Sequence, residues 1–191
     1  MARQATVESG VLVQRLSEVF RGEGYDGASL TQLADATGLK KASLYHRFPD
    51  GKAQMAREVL SAADAWMQEN VIAALTGEGR PVERVARASA ALEQYYRDGE
   101  APCLFNMMAS AGQHDEALAE QIREALEHLI EAFAAVSRDA GQNEARARNR
   151  AERAVVMLEG SLVLSRGLRR PHAFQEFLRT LPKQLLGAGG G

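Results

Sequence analysis

The chain has one cysteine, Cys103, among 191 residues, so it can form no intramolecular disulfide and must be held together by its packing. Five prolines, 6% aromatic residues and no alternating β-branched runs argue against a sandwich or barrel and for an all-α protein. No apolar run approaches the ~18 residues of a membrane-spanning helix, and no apolar segment follows a basic start. Membrane insertion and secretion are therefore not expected, and the cytoplasm is the default compartment. Lysine is also scarce. Of four in the chain, Lys40, Lys41 and Lys52 fall in one window beside Arg47. The net charge is only −2, but residues 1–57 hold eight Lys/Arg against six Asp/Glu, and the other 134 hold 15 against 19. That distribution excludes a protein that coats nucleic acid along its whole length and leaves one discrete basic end.

What fills that end is the stretch Ser29 to Lys52, SLTQLADATGLKKASLYHRFPDGK. Ser29 and Gln32 form a capping box that starts a helix, with Leu30, Leu33 and Ala34 on its inner face. Gly38 stops it at a position suited to a left-handed backbone. A second helix from Lys40 to Phe48 turns Leu44 and Phe48 inward and leaves Lys41, Ser43, Tyr45 and His46 outward. Pro49 ends it; Asp50 is expected to cap a third helix whose first turn carries Lys52, where free amides and the ammonium suit a phosphate. Two short helices, a tight turn and a polar, cationic outer face read as a DNA-binding helix-turn-helix.

At these residues the sequence resembles the tetracycline-repressor (TetR) family of bacterial regulators. The match runs through Ser29, Leu33–Ala34, Thr37–Gly38, Leu39–Lys40–Lys41–Ala42, Tyr45, Phe48 and Lys52, and about residues 8–57 share the motif. Three positions depart from it. Lys40 stands where the family usually has a capping Ser, Ala42 where it has Gly, and one extra residue separates Phe48 from Lys52. The resemblance implies that Lys41, Ser43, Tyr45 and His46 face the major groove, while Ser29, Thr31, Lys40 and Lys52 hold the phosphate backbone. It also implies a ligand-responsive repressor that binds a palindromic operator in double-stranded DNA as a homodimer and is released by a small apolar or amphipathic effector. The fold implied is a helix-turn-helix domain over residues 1–50, joined by a long helix to a helical ligand-binding and dimerisation domain over residues 51–186.

Beyond the motif, Val11, Leu12, Leu16, Val19 and Phe20 give the first helix its buried stripe, after a polar arm over residues 1–6. Ala56, Val59, Leu60, Ala63 and Met67 mark a long connecting helix of about 36 Å from Gly51 to Leu75. Two further helices are expected over 82–96 and 102–112. With the connecting helix they supply Met67, Leu92, Tyr95, Tyr96, Cys103, Phe105 and Met108, the candidate lining of an effector pocket. Helices over 115–140, from about 146, and over 172–186 complete the chain. Val155, Leu158 and Leu162, with Phe174, Phe177, Leu178 and Leu181, are expected to form a four-helix interface between two copies. Residues 187–191 are expected to be a disordered tail.

No cofactor and no metal are expected, because Glu124 and His128, even with His114 elsewhere in the chain, have no identifiable third ligand at metal-binding spacing, and an acidic helix face is ordinarily solvated. The arginines at 146, 148, 150 and 153 read as a helix face paired with nearby acids. An enzyme using Cys103 with His114 is not expected, since no oxyanion loop accompanies them. Two alternatives stay open: a repressor that senses oxidants or electrophiles through Cys103, and an architectural DNA binder without a ligand.

Overall fold

The computed structural model describes residues 9–113 and 115–187; the expected arm over 1–6, His114 and residues 188–191 of the expected tail lie outside the described residues. Among the described residues every regular element is helical. Helix α1 (Ser9–Gly27) breaks at Gly24, where φ is 69°. Next come α2 (Leu30–Thr37), α3 (Lys41–Arg47) and α4 (Gly51–Met67). The expected connecting helix is continuous past α4: one π-turn over Gln68–Ile72 leads into α5 (Ala73–Thr76). Helix α6 (Pro81–Tyr95) begins with Pro81, which lacks the amide that a first helical residue leaves unpaired anyway.

Where one helix is expected over 102–112 the chain instead forms a single turn, α7 (Leu104–Met107), and a 3-10 turn over Ala109–Gln113. Cys103, Leu104 and Phe105 are all buried in succession. Three consecutive side chains span most of a helix's circumference, so burying them in a helix takes packing on more than one side, as α8 has at Ala132, Phe133 and Ala134. Helices α8 (Glu116–Asp139), α9 (Glu144–Leu168) and α10 (His172–Leu186) then follow. The first two are capped by Asp115 and Asn143, whose side chains accept from Leu118 N (3.2 Å) and Arg146 N (3.0 Å).

The buried side chains form one contiguous cluster from Leu12 to Leu186, and α4 takes part at both ends of it. Helix α4 packs against both α1 and α8, and its buried side chains, from Met55 to Met67, are continued by Val71 of the π-turn. Polar groups tie α10 down. Ser137 Oγ donates to Leu185 O at 2.6 Å, Gln142 Nε2 to Leu186 O at 3.3 Å and Arg150 to Gln184 O, so the carbonyls that end α10 find partners on α8, on the α8–α9 turn and on α9. Gly99 sits where the backbone of the α6–α7 turn meets α10. Its φ is 91°, and a Cβ there would lie 2.7 Å from Phe174 Cβ, so only glycine fits.

Candidate nucleic-acid interface

The surface that would meet DNA is built by short-range contacts. Ser29 Oγ accepts from Gln32 N (3.2 Å) and Gln32 Oε1 accepts from Ser29 N (2.9 Å), completing the capping box that starts α2. Gly38 closes α2 at φ 71°, with its amide donating to Asp35 O. Thr37 is fully buried; its hydroxyl bonds back to Leu33 O and Ala34 O, and Arg15 of α1 reaches its carbonyl at 3.2 Å. The turn is thereby fixed to α1, and α3 leaves it at a set angle. Lys40 precedes α3 with no side-chain cap, as its replacement of a capping Ser implies.

Leu44 and Phe48 are buried at 1% and 0% exposure and anchor α3 from beneath. The burial of each is worth about 1.5–3 kcal/mol. Lys40, Lys41, Tyr45 and His46 are exposed and Ser43 is half-buried, so the outward face of α3 carries the residues expected there. Neither Lys40 nor Lys41 has an ion-pair partner among the described residues, whereas Arg47 is held by both oxygens of Glu58 (3.1 and 2.9 Å). Within Lys40–Arg47, the lysines without an ion pair are thus the ones on the outer face. Ser29 and Thr31 are also exposed at the start of α2.

Two expectations at the α3–α4 turn are corrected. Asp50 makes no cap for α4; its carboxylate takes Arg57 at 2.8 Å, and Arg57 also reaches Asp115 at 3.2 Å, joining this turn to the start of α8. Lys52 is held within its own chain, which leaves at most one of its three ammonium N–H groups for a phosphate. Its ammonium donates to Tyr25 O (2.9 Å) and Ala28 O (3.2 Å) and lies 4.5 Å from the Tyr25 ring centroid, clipping the α1–α2 link to α4. The carbonyls that hold it could not be read from spacing.

The pocket expectation divides. Met67, Leu92, Tyr96, Cys103, Phe105 and Met108 are each at most 5% exposed and belong to the continuous core. Tyr95 alone of that set lines the cleft of about 350 Å³ that lies between α1 and α4. Trp66 and Arg21, which line it with Tyr95, escaped sequence reasoning because three different helices contribute them. Cys103 borders a separate gap of about 50 Å³ with Asn106, Glu159 and Arg166. Burial, with the Glu159 charge adding to it, pushes the Cys103 thiol up to about 12. A thiol so buried and so weakly acidic does not suit a sensor or a nucleophile, both of which need the thiolate.

The residues expected between two copies are also placed elsewhere. Val155, Leu158, Leu162, Phe174, Phe177 and Leu181 are buried inside a single chain, and Leu178 is half-buried against the same core. Apolarity marks them, and the most apolar face of each helix is the one its own chain covers. The face of α9 left open carries Val156, Val163, Leu164 and Leu168, 52–71% exposed, with Gly160 and Gly167 between them. These positions recur at helical spacing along one stripe. Of the four α9 arginines expected to pair with acids, Arg148 alone does so among the described residues, with Glu127 and Glu152; Arg150 instead serves α10 carbonyls, and Arg146 and Arg153 make no ion pair there.

Comparison with known proteins adds two family matches. Residues 13–59 match the family described as "Bacterial regulatory proteins, tetR family", and residues 81–180 match "Transcriptional regulator LmrA/YxaF-like, C-terminal domain". The chain is 25% identical over 157 residues to the HTH-type transcriptional regulator LmrA of Bacillus subtilis, covering 81% of this chain and 84% of that protein. Among solved structures, a TetR transcriptional regulator from Legionella pneumophila superposes with a TM-score of 0.83 at 19% identity, over 96% of this chain and all (100%) of that one. A TetR-family regulator from Agrobacterium tumefaciens gives 0.79 at 19% identity, over 92% and 96%. At that identity the two structures speak to the fold alone.

Proposed function

Because the chain belongs to the TetR family of transcriptional regulators, and so is a DNA-binding regulator rather than an enzyme, we propose that it represses transcription as an effector-released homodimer on a palindromic operator. The observation that carries this reading is the pairing of two unpartnered surfaces in one chain. One is the cationic outer face of α3, the other the apolar stripe of α9. A stripe of small and aliphatic side chains suits close helix-on-helix approach between twofold copies. Two copies joined there present two recognition helices to successive major grooves about 34–36 Å apart, which calls for an inverted repeat. Lys41, Ser43, Tyr45 and His46 would read base edges; Ser29, Thr31 and Lys40 would set register on the backbone. Helix-turn-helix residues 1–50 and core residues 51–186 would act as the two domains of a regulator in the cytoplasm.

Release follows from how the two are joined. The N-terminal unit is held to the larger layer by α4, by the Arg57 bridge between Asp50 and Asp115, and by the Arg97–Glu18 ion pair. An effector that favours a different angle of α4 would weaken DNA binding, and DNA would weaken effector binding by the same factor. Sedimentation equilibrium with operator titration tests the reading. Wild-type protein should be a dimer, and Leu164→Glu should yield a folded monomer with operator affinity lower by at least about tenfold. A monomeric wild type that binds an unpaired half-site equally well would refute it.

A further inference from the structure

The cleft between α1 and α4 contains a charge that the fold does not balance. Arg21 is 9% exposed, yet it pairs with no carboxylate among the described residues. Its guanidinium donates to the Pro102 carbonyl and lies 4.6 Å from the Tyr95 ring centroid. The other buried arginine among the described residues, Arg84, has the Asp139 carboxylate at 2.7 Å. Glu18, one turn before Arg21 on α1, is taken by Arg97. A buried guanidinium without an anion keeps much of its desolvation cost, and such a group beside a cleft favours an anionic guest.

A second donor stands next to it. The Tyr95 hydroxyl is buried and has no hydrogen bond of standard geometry among the described residues, and burial pushes the phenol above its ordinary value against the opposing charge and weak hydrogen bonding of Arg21. Tyr95 is therefore a neutral donor near pH 7. The remaining walls are mostly apolar: Val13, Val59 and Leu104 line the cleft, and the Trp66 ring stacks on Tyr95 at 4.5 Å between centroids. Its volume of about 350 Å³ falls within the usual range for a small organic ligand.

We propose that this cleft binds an aromatic carboxylic acid, with the carboxylate on Arg21 and the Tyr95 hydroxyl and the ring against Trp66. Its regulatory consequence rests on the effector-released reading above. One wall of the cleft is α1 of the DNA-binding unit and the other is α4 and α6, so a guest occupies the joint whose angle sets operator affinity.

The test uses the full chain with 4-tert-butylbenzoate and 2-naphthoate as probes, each set against its uncharged carboxamide, by titration calorimetry. Trp66, the only tryptophan, gives a fluorescence readout at the site for the first probe. The expected result is saturable acid binding, one acid per chain, with the amide weaker by about tenfold or more because a charge-assisted contact is lost. Arg21→Gln should bring the acid down to the amide's affinity. Ala62→Phe, at an exposed position lining the same cleft, should abolish binding of both acid and amide and guards against misfolding of the first variant. Acid and amide binding equally, neither acid binding the folded wild type, or acid binding unchanged in both variants would overturn the site. Binding that follows the expected pattern but leaves operator affinity unchanged supports the site and refutes the effector-released reading instead.

Discussion

Replacing Lys52 with Met separates an internal clip from a phosphate contact. The substitution keeps most of the stem's volume and removes the ammonium that donates to Tyr25 O at 2.9 Å and Ala28 O at 3.2 Å. Hydrogen bonds from a charged donor contribute about 1.5–3 kcal/mol each, and an exposed cation–π contact about 0.5–1 kcal/mol. Lys52 is half-exposed, so water compensates part of this; Ala28 is fully buried, so its carbonyl is poorly rehydrated. The net loss should be about 2 kcal/mol. For a chain of this size each kcal/mol moves Tm by roughly 2–4 °C, giving a fall of about 4–8 °C, with a matching drop in the urea midpoint at unchanged slope. A phosphate contact predicts something else: stability preserved, and the slope of log affinity against log salt reduced by about 0.9. Unchanged Tm with a reduced salt slope would refute the clip.

Other substitutions probe other links. Tyr45→Ala removes a side chain 46% exposed on α3, so stability should stay within about 0.5 kcal/mol while operator affinity falls by at least about tenfold, as checked by urea unfolding and fluorescence anisotropy. Gly99→Ala places a Cβ 2.7 Å from Phe174 Cβ at φ 91° and should destabilise the chain by about 2–4 kcal/mol in the same unfolding assay. Alkaline unfolding follows from groups that burial keeps protonated. Cys103 is raised from 9.0 to about 12, so the unfolded chain ionises first. Its contribution is complete below pH 9.0 and is lost as pH rises towards about 12, at about 1.4 kcal/mol per unit, while buried Tyr96 and the buried hydroxyl of Tyr95 add to the decline at the upper end. A Tm flat from pH 8 to 11 would contradict this, as would alkylation of native Cys103 at a free thiol's rate.

What could be read from the sequence was what short-range chemistry decides. The Ser29–Gln32 box, the Gly38 stop and the inward pair Leu44 and Phe48 depend on neighbours within a turn or two, and the structure shows each of them. The bounds of α10 follow from the same periodicity. Long-range partners were not legible. Lys52 reads as a cation at a helix start, but the carbonyls that engage it lie 27 and 24 residues away. Apolarity located the faces of α9 and α10 that matter most to folding; it could not say which second, weaker stripe remains open. The cleft was hidden for a related reason: Arg21, Trp66 and Tyr95 come from α1, α4 and α6, and each alone has the look of an ordinary core or surface residue.

The central claim, that α3 reads a specific inverted repeat through a twofold dimer, is tested most directly by selecting bound sites from a random duplex pool with the purified full chain at near-physiological salt, then sequencing them. The account predicts enrichment of an imperfect palindrome whose half-site centres lie about one helical turn apart, or a whole multiple of one, and loss of that enrichment with Tyr45→Ala. A folded, dimeric protein that binds the pool with a full salt dependence yet enriches no sequence would contradict it and leave a binder of DNA shape alone.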